Sequence, residues 1–248
     1  MSAPHEDFFI GWTDRLPPRD RGFIARVALG FLLAMLLLAF GLARTMDDSG
    51  GGSGDWIAGE QTFRGTITGQ PYALLHVAPD AAHPQGHAMM LAMVGKYPVV
   101  VPPEWEGRGL EVKGWLVRRG ALEMVQTTAE PRLVELPAAS RAVEKLGRWR
   151  ITGEICDGQC YAGLMRPGTG IAHRACADFC LQGGVPPVFV ATAPVAGSSF
   201  LLMGDPSGGP VSAAMYPFVG LRVRLDGEVE RRGDMLVFRP DFSTAVLP

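Results

Sequence analysis

The sequence predicts an all-β fold behind one N-terminal transmembrane helix, with the exported part built as two tandem small OB-like β-barrel domains. Three observations predict it: a long uncharged apolar run near the N-terminus, a series of short apolar strands punctuated by glycine and proline, and an internal repeat covering strand-forming segments.

The apolar run occupies residues 22–44, and from Val27 to Ala43 it carries no charge. That is the length of a short membrane-spanning helix, provided Arg26 turns its guanidinium toward the interface. Arg15, Arg19, Arg21 and Arg26 precede the uncharged core, whereas Arg44 alone follows it before Arg64. The positive-inside rule therefore predicts a single-pass inner-membrane protein, N-terminus cytoplasmic and C-terminal domains periplasmic. A cleaved signal peptide ending near Gly41-Leu42-Ala43 is the competing reading. The polar leader is too long for it, and so is the apolar run.

Organisation follows from composition shifts. Residues 1–21 read as a cytoplasmic tail with an apolar Phe8-Phe9-Ile10-Gly11 segment, 22–44 as the membrane helix, and 45–58 as a flexible glycine and serine linker. Residues 59–135 form the first β-barrel-like domain, 136–148 a connecting helix, and 149–248 the second domain. The repeat supports this division. Phe63-Arg-Gly65-Thr-Ile67 matches Ile151-Thr-Gly153-Glu-Ile155, and the Lys113-Gly114 segment through Leu122 matches Asp226-Gly227 through Met235. The first match is offset by 88 positions and the second by 113, so the second copy carries about 25 extra residues. Each copy ends in Arg-Arg-Gly before its last strand, a hairpin signal. A short helix is expected near Val211 to Tyr216.

The extra residues, 156–187, hold all four cysteines and one histidine. His173, Cys176 and Cys180 stand at i, i+3 and i+7, one stripe of a helix expected over Ile171 to Leu181 and stopped by Gly183-Gly184. Cys160 supplies a fourth donor from a loop rich in proline and glycine. Cys160, His173, Cys176 and Cys180 make a ligand set for zinc; with Met165 in place of one thiolate the set suits copper(I), and Cys156 is a possible additional donor. Two other readings stand beside it. A disulfide from Cys156 or Cys160 would staple the insertion to its barrel in an oxidising compartment. A working thiol pair would use Cys176 or Cys180, with His173 lowering a thiol pKa.

The run Cys160-Tyr161, Met165, Pro167-Gly168, His173, Cys176-Ala177, Cys180, Gly183-Gly184 and Pro186-Pro187 resembles a group of bacterial membrane-anchored or exported proteins. The likeness extends to the N-terminal Phe8-Phe9-Ile10-Gly11 and both barrel-like halves. It implies a core of three cysteines and one histidine and no settled activity, and Cys156 departs from that pattern.

Other chemistry finds no support. There is no phosphate loop, dinucleotide fingerprint, nucleophile-elbow serine or Cys-x-x-Cys-His haem motif. A net charge of −2 and 8 % aromatics argue against single-stranded nucleic acid as the partner of an OB-like barrel. His76, His83 and His87 have no matching cysteine or clustered carboxylate near them in sequence, and no second metal site is expected there. The expected function is a non-catalytic accessory or assembly subunit of a membrane-associated redox system, with a membrane-associated protein partner. A thiol-disulfide oxidoreductase and a disulfide-stapled docking scaffold are the alternatives.

Overall fold

The computed structural model describes residues 18–47, 54–79, 81, 83, 84, 86–136 and 143–248. The chain divides into two units, the first ending at Ser49 and the second running from Gly50 to Pro248.

The first unit is one helix, α1 (Pro18–Asp47). Pro18 opens it, where the missing N–H breaks no intrahelical bond, and Asp20 in the first turn and Arg44 in the last match the signs of the helix dipole. Residues 20–44 include an 18-residue stretch with a mean hydropathy of 2.5. At about 1.5 Å per residue they are long enough to cross a hydrocarbon layer of about 30 Å. Arg26 folds back onto the Gly22 carbonyl (Nε to O 2.8 Å), and Arg44 lies over the Phe40 ring at 4.8 Å. The helix begins one turn before the apolar run, so residues 18–21 of the expected tail are helical. The Phe8-Phe9-Ile10-Gly11 segment and residues 48–53 of the linker lie outside the described residues.

The second unit is mostly strand. Its first half contains β1 (Asp55–Trp56), β2 (Gln61–Thr68), β3 (Leu74–Val77), β4 (His87–Met93), β5 (Tyr97–Pro98), β6 (Gly109–Arg119), β7 (Leu122–Thr127) and β8 (Arg132–Leu133). β2 pairs antiparallel with β3 and β3 with β4; β4 runs parallel to β7, β7 antiparallel to β6, and β6 antiparallel to β2. β1 and β8 add to β6, and β5 adds to β4. The second half contains β9 (Val143–Asp157), β10 (Pro187–Val195), β11 (Ser198–Met203), β12 (Arg222–Arg232) and β13 (Met235–Val246). These five close into a barrel in the order β10-β11-β13-β12-β9, with β11 parallel to β13 and the other neighbours antiparallel.

Four mid-strand glycines are required by close approach rather than by dihedral angle. A Cβ would lie 2.3 Å from the His76 carbonyl oxygen at Gly65, 2.2 Å from that of Gln126 at Gly114, 2.4 Å from that of Val190 at Gly153 and 2.3 Å from that of Arg239 at Gly227. Gly65 and Gly114 occupy β2 and β6, and Gly153 and Gly227 occupy β9 and β12. Glycine lets the curving backbone press against its neighbour.

Two helix expectations change. Residues 137–142 of the expected connecting segment lie outside the described residues, but Val143 to Arg148 are strand, not helix. Their register with β12 runs from Val143 opposite Arg232 to Arg148 opposite Glu228, and Glu144 meets Arg231 at 3.2 Å. Long-range pairing overrides the helical propensity of the local sequence. The helix expected near Val211 forms as a 3₁₀ segment, Ala213–Phe218, which places Met215 in the barrel core.

Among the described residues, three large apolar cores result. Ile67, Leu75, Met89, Leu110 and Val125 fill the first half; Ile155, Phe189, Leu201, Val223 and Phe238 fill the second. The third joins the halves through Leu74, Met90, Val117 and Met124 on one side and Val188, Leu202 and Val237 on the other. Since successive strand residues face opposite ways, Ile155 enters the barrel while Cys156 faces the first half.

Gly114→Ala is expected to destabilise the full chain in detergent by about 1–3 kcal/mol, because the methyl group meets backbone that cannot move aside. Gly233→Asn, at an open turn with φ +65, is expected to cost less than about 0.5 kcal/mol. Urea denaturation followed by tryptophan fluorescence checks both.

Candidate thiol and metal centre

The segment between β9 and β10 is built around a buried aspartate. Asp157 ends β9 fully buried, and its Oδ1 accepts the Cys160 backbone N–H at 2.8 Å. This Asx-type bond starts the wide turn Cys160–Leu164. Its other oxygen, Oδ2, lies 3.0 Å from His173 Nε2, and His173 is also buried. A 3₁₀ turn, Ile171–His173, then leads into helix α2 (Arg174–Gln182).

The Gly183-Gly184 pair stops α2 through a Schellman arrangement. Gly184 takes φ +92 and its N–H donates to the Leu181 carbonyl at 3.0 Å, while the Val185 N–H reaches the Cys180 carbonyl at 3.0 Å. The accompanying apolar contact between Val185 and Cys180 belongs to a small cluster that also holds Cys160, with Cys176 and Leu164 at its edge. The helix ending thereby fixes Cys180.

One ligand atom each from Cys160, Cys176 and Cys180 lies within 4.8 Å of the others, and so do atoms of Asp157, Cys160 and His173. The four donors expected from the sequence therefore divide into two groups that share Cys160. His173 faces Asp157 and does not join Cys176 and Cys180 in a single set. Cys156 donates its S–H to Glu154 Oε1 at 3.2 Å and packs in the core between the halves. Burial, with the neighbouring Glu154 charge, pushes its thiol well up. Met165 is 42 % exposed, outside the buried apolar cluster that holds the thiols. All four cysteines are free thiols, with no bridge between any two.

A cation reaches the thiols from the other half. Lys96, in the turn between β4 and β5 at φ +70, donates from Nζ to Cys176 Sγ at 3.0 Å. Burial pulls its ammonium pKa down, but the bond to Cys176 and the nearby thiolates outweigh this and raise it. Cys180 is held down at about 7 chiefly because Cys160 donates an S–H to it; burial opposes the shift, and Lys96 and Cys176 assist it. Cys160 is correspondingly pushed up, by that same donation, by burial and by the Asp157 charge.

The donor set fits a thiophilic ion. Sulfurs sharing one tetrahedral zinc lie roughly 3.8 Å apart, given a bond of about 2.3 Å, so the observed spacing needs little rearrangement. Copper(I) accepts the same three sulfurs.

Sequence reasoning missed Asp157 and Lys96. An aspartate three residues before Cys160 is a recognisable capping position; Lys96 carries no sequence signal beyond the turn around Gly95.

Comparison of the chain with family models, with curated proteins and with solved structures finds no match.

Thiol alkylation measured against pH, with the modified residue located by mass spectrometry, is expected to show Cys180 titrating near 7. Lys96→Met is expected to move that midpoint upward, because it removes the cation that favours the thiolate. An unchanged midpoint would show that Lys96 exerts no such effect.

Proposed function

We propose that this protein is a membrane-anchored, exported accessory or assembly subunit of a redox system, holding one Zn²⁺ or Cu⁺ ion on Cys160, Cys176 and Cys180. The carrying observation is the mutual approach of three sulfur-bearing residues within 4.8 Å. The bound ion would lock the insertion to its barrel or be passed on to a partner. Asp157 positions the Cys160 turn, His173 anchors the start of α2 through Asp157, and Lys96 offsets thiolate charge. Supporting the anchor are α1 and the arginines ahead of its apolar core, which favour a cytoplasmic N-terminus and a periplasmic remainder.

The same reading treats the exported part as a duplicated OB-like scaffold. Taking β2, β3, β4, β6 and β7 of the first half against β9 to β13 of the second, both follow one pairing pattern: first strand to second, second to third, third parallel to fifth, fifth to fourth and fourth back to first. The glycines matched by the sequence repeat, Gly65 with Gly153 and Gly114 with Gly227, also meet a neighbouring carbonyl in the same way.

Metal analysis of the full chain, purified anaerobically in detergent, is expected to find one zinc or copper ion per chain with sulfur ligands. Cys160→Ser, Cys176→Ser or Cys180→Ser should each remove it, and Cys156→Ser should not. A chain with no sulfur-bound metal ends this reading.

Thiol-disulfide exchange is the second reading, favoured by the Cys180 thiolate beside the Cys160 S–H. Cys180 would attack a partner disulfide, expelling one partner sulfur as thiolate. Cys160 would then give up its proton and displace the second, leaving a Cys160–Cys180 bridge and a reduced partner. A bridge that glutathione buffers do not reduce would exclude this activity.

A fusion of alkaline phosphatase to Pro248 is expected to be active, and a fusion of a cytoplasmic reporter there silent. The reverse result would place the second unit in the cytoplasm.

A further inference from the structure

We propose that His83 and His87, oriented by Glu123, form a second metal site, which takes a borderline divalent ion of the zinc class and uses no sulfur. The site lies on the first half and does not depend on the reading of the thiol centre.

The two imidazoles stack with centroids 3.9 Å apart and planes inclined by 27°. One ligand atom each from His83, His87 and Glu123 lies within 4.8 Å of the others. A tight turn creates the pairing: the Gly86 N–H donates to the His83 carbonyl at 2.9 Å, and Gly86 takes φ +75 with no room for a Cβ, which would lie 2.7 Å from the Val77 carbonyl oxygen. The turn presses on the end of β3 and sends His87 directly into β4, opposite Val77. Glu123 arrives on β7, which runs parallel to β4, so the starts of both strands sit side by side. The carboxylate is remote in sequence, which is why the linear pattern shows no partner for the histidines.

The contact pattern argues for a ligand rather than for packing alone. His87 Nε2 lies 3.1 Å from Glu123 Oε2, with the two side chains only 10 % and 12 % exposed. Glu123 thereby engages Nε2 of His87, and Nδ1 is the ring nitrogen that remains for an ion. That Nδ1 is buried and has no hydrogen-bond partner. A carboxylate holding one nitrogen of a histidine whose other nitrogen presents a lone pair is the arrangement that prepares a metal ligand. Two imidazoles, one of them oriented by a carboxylate, suit Zn²⁺ or Cu²⁺, whereas the thiol centre favours softer ions.

The position gives the site a consequence. The Ala88 N–H, next to His87, donates to Asp234 Oδ1 at 2.8 Å, and Asp234 belongs to the turn between β12 and β13. An ion held by His83 and His87 would fasten the loop before β4 beside this contact between the halves.

The test titrates the full chain in detergent with Zn²⁺ under anaerobic conditions and reads its ligands by X-ray absorption. The triple variant Cys160→Ser, Cys176→Ser, Cys180→Ser is expected to retain one Zn²⁺ per chain with nitrogen and oxygen ligands at about 2.0 Å. That holds whether or not the thiols bind metal, so the two readings fail separately. Adding His83→Ala or His87→Ala should remove this ion, and Glu123→Gln should weaken it by about 10–100-fold. If His87→Ala loses its circular dichroism signature, His87→Asn, which keeps polarity and approximate size, replaces it. A triple variant that binds no Zn²⁺, or histidine variants that bind as well as it does, overturns the proposal. Unchanged affinity in Glu123→Gln overturns the orienting role of that carboxylate.

Discussion

The buried carboxylate of Asp157 is the constraint on which the thiol centre depends. A carboxylate removed from water must find compensating donors or be neutralised, and here it meets the Cys160 N–H and the His173 imidazole. These two contacts tie the end of β9, the following turn and the beginning of α2 to one point. The Schellman ending of α2 supplies a second fixed point at Cys180. Cys160, Cys176 and Cys180 converge because the segment carrying them is held at both ends, and their own mutual attraction is not required.

The same constraint explains which parts of the molecule were legible in the sequence. Strands were legible wherever burial alternates with period two, as at Ile151, Gly153 and Ile155. Helix α2 was legible from its alanines and the closing glycine pair, and three of its neighbouring donors do meet. His173 was assigned to the sulfurs because the i, i+3, i+7 spacing places it on their stripe. Spacing describes a helix face but not the partner opposite it, and here the partner is Asp157. Val143 to Arg148 looked helical because local propensity is all that a linear reading offers. Their strand state is imposed by β12, which lies far away along the chain. Lys96 and Glu123 were invisible for the same reason: each reaches its site through a fold contact that no local pattern encodes.

The division into two domains captures the strand pattern better than it captures the physical unit. Met90 and Met124 from one half and Met235 from the other lie in the shared core, where flexible thioether side chains adapt to the packing between the halves. Gln159 strengthens the junction, donating to the Met93 carbonyl at 3.1 Å and to the Gln126 side chain at 2.5 Å. Gln159 immediately precedes Cys160, so the turn bearing the thiol also rests on the first half. With Lys96 on Cys176, that half provides both a support and a charge to chemistry whose sulfurs all belong to the second. The first half is thereby part of the thiol centre.

The helix geometry bears on which chemistry the thiols can perform. Cys176 and Cys180 stand one turn apart on α2, a spacing whose side-chain torsions suit a disulfide poorly. Oxidation within the cluster would therefore draw on Cys160, whose backbone N–H is held by Asp157. Lys96 bears on the same choice, since a cation beside three sulfurs favours thiolates over both thiols and bridges. Ion binding needs thiolates that remain in place, whereas exchange needs one that moves to a partner sulfur. Cys160 and Cys180 are buried and Cys176 is only partly exposed, so a partner disulfide could approach only if the insertion opened. A small ion requires no such opening, and the anchored ends of this segment accordingly favour coordination over exchange.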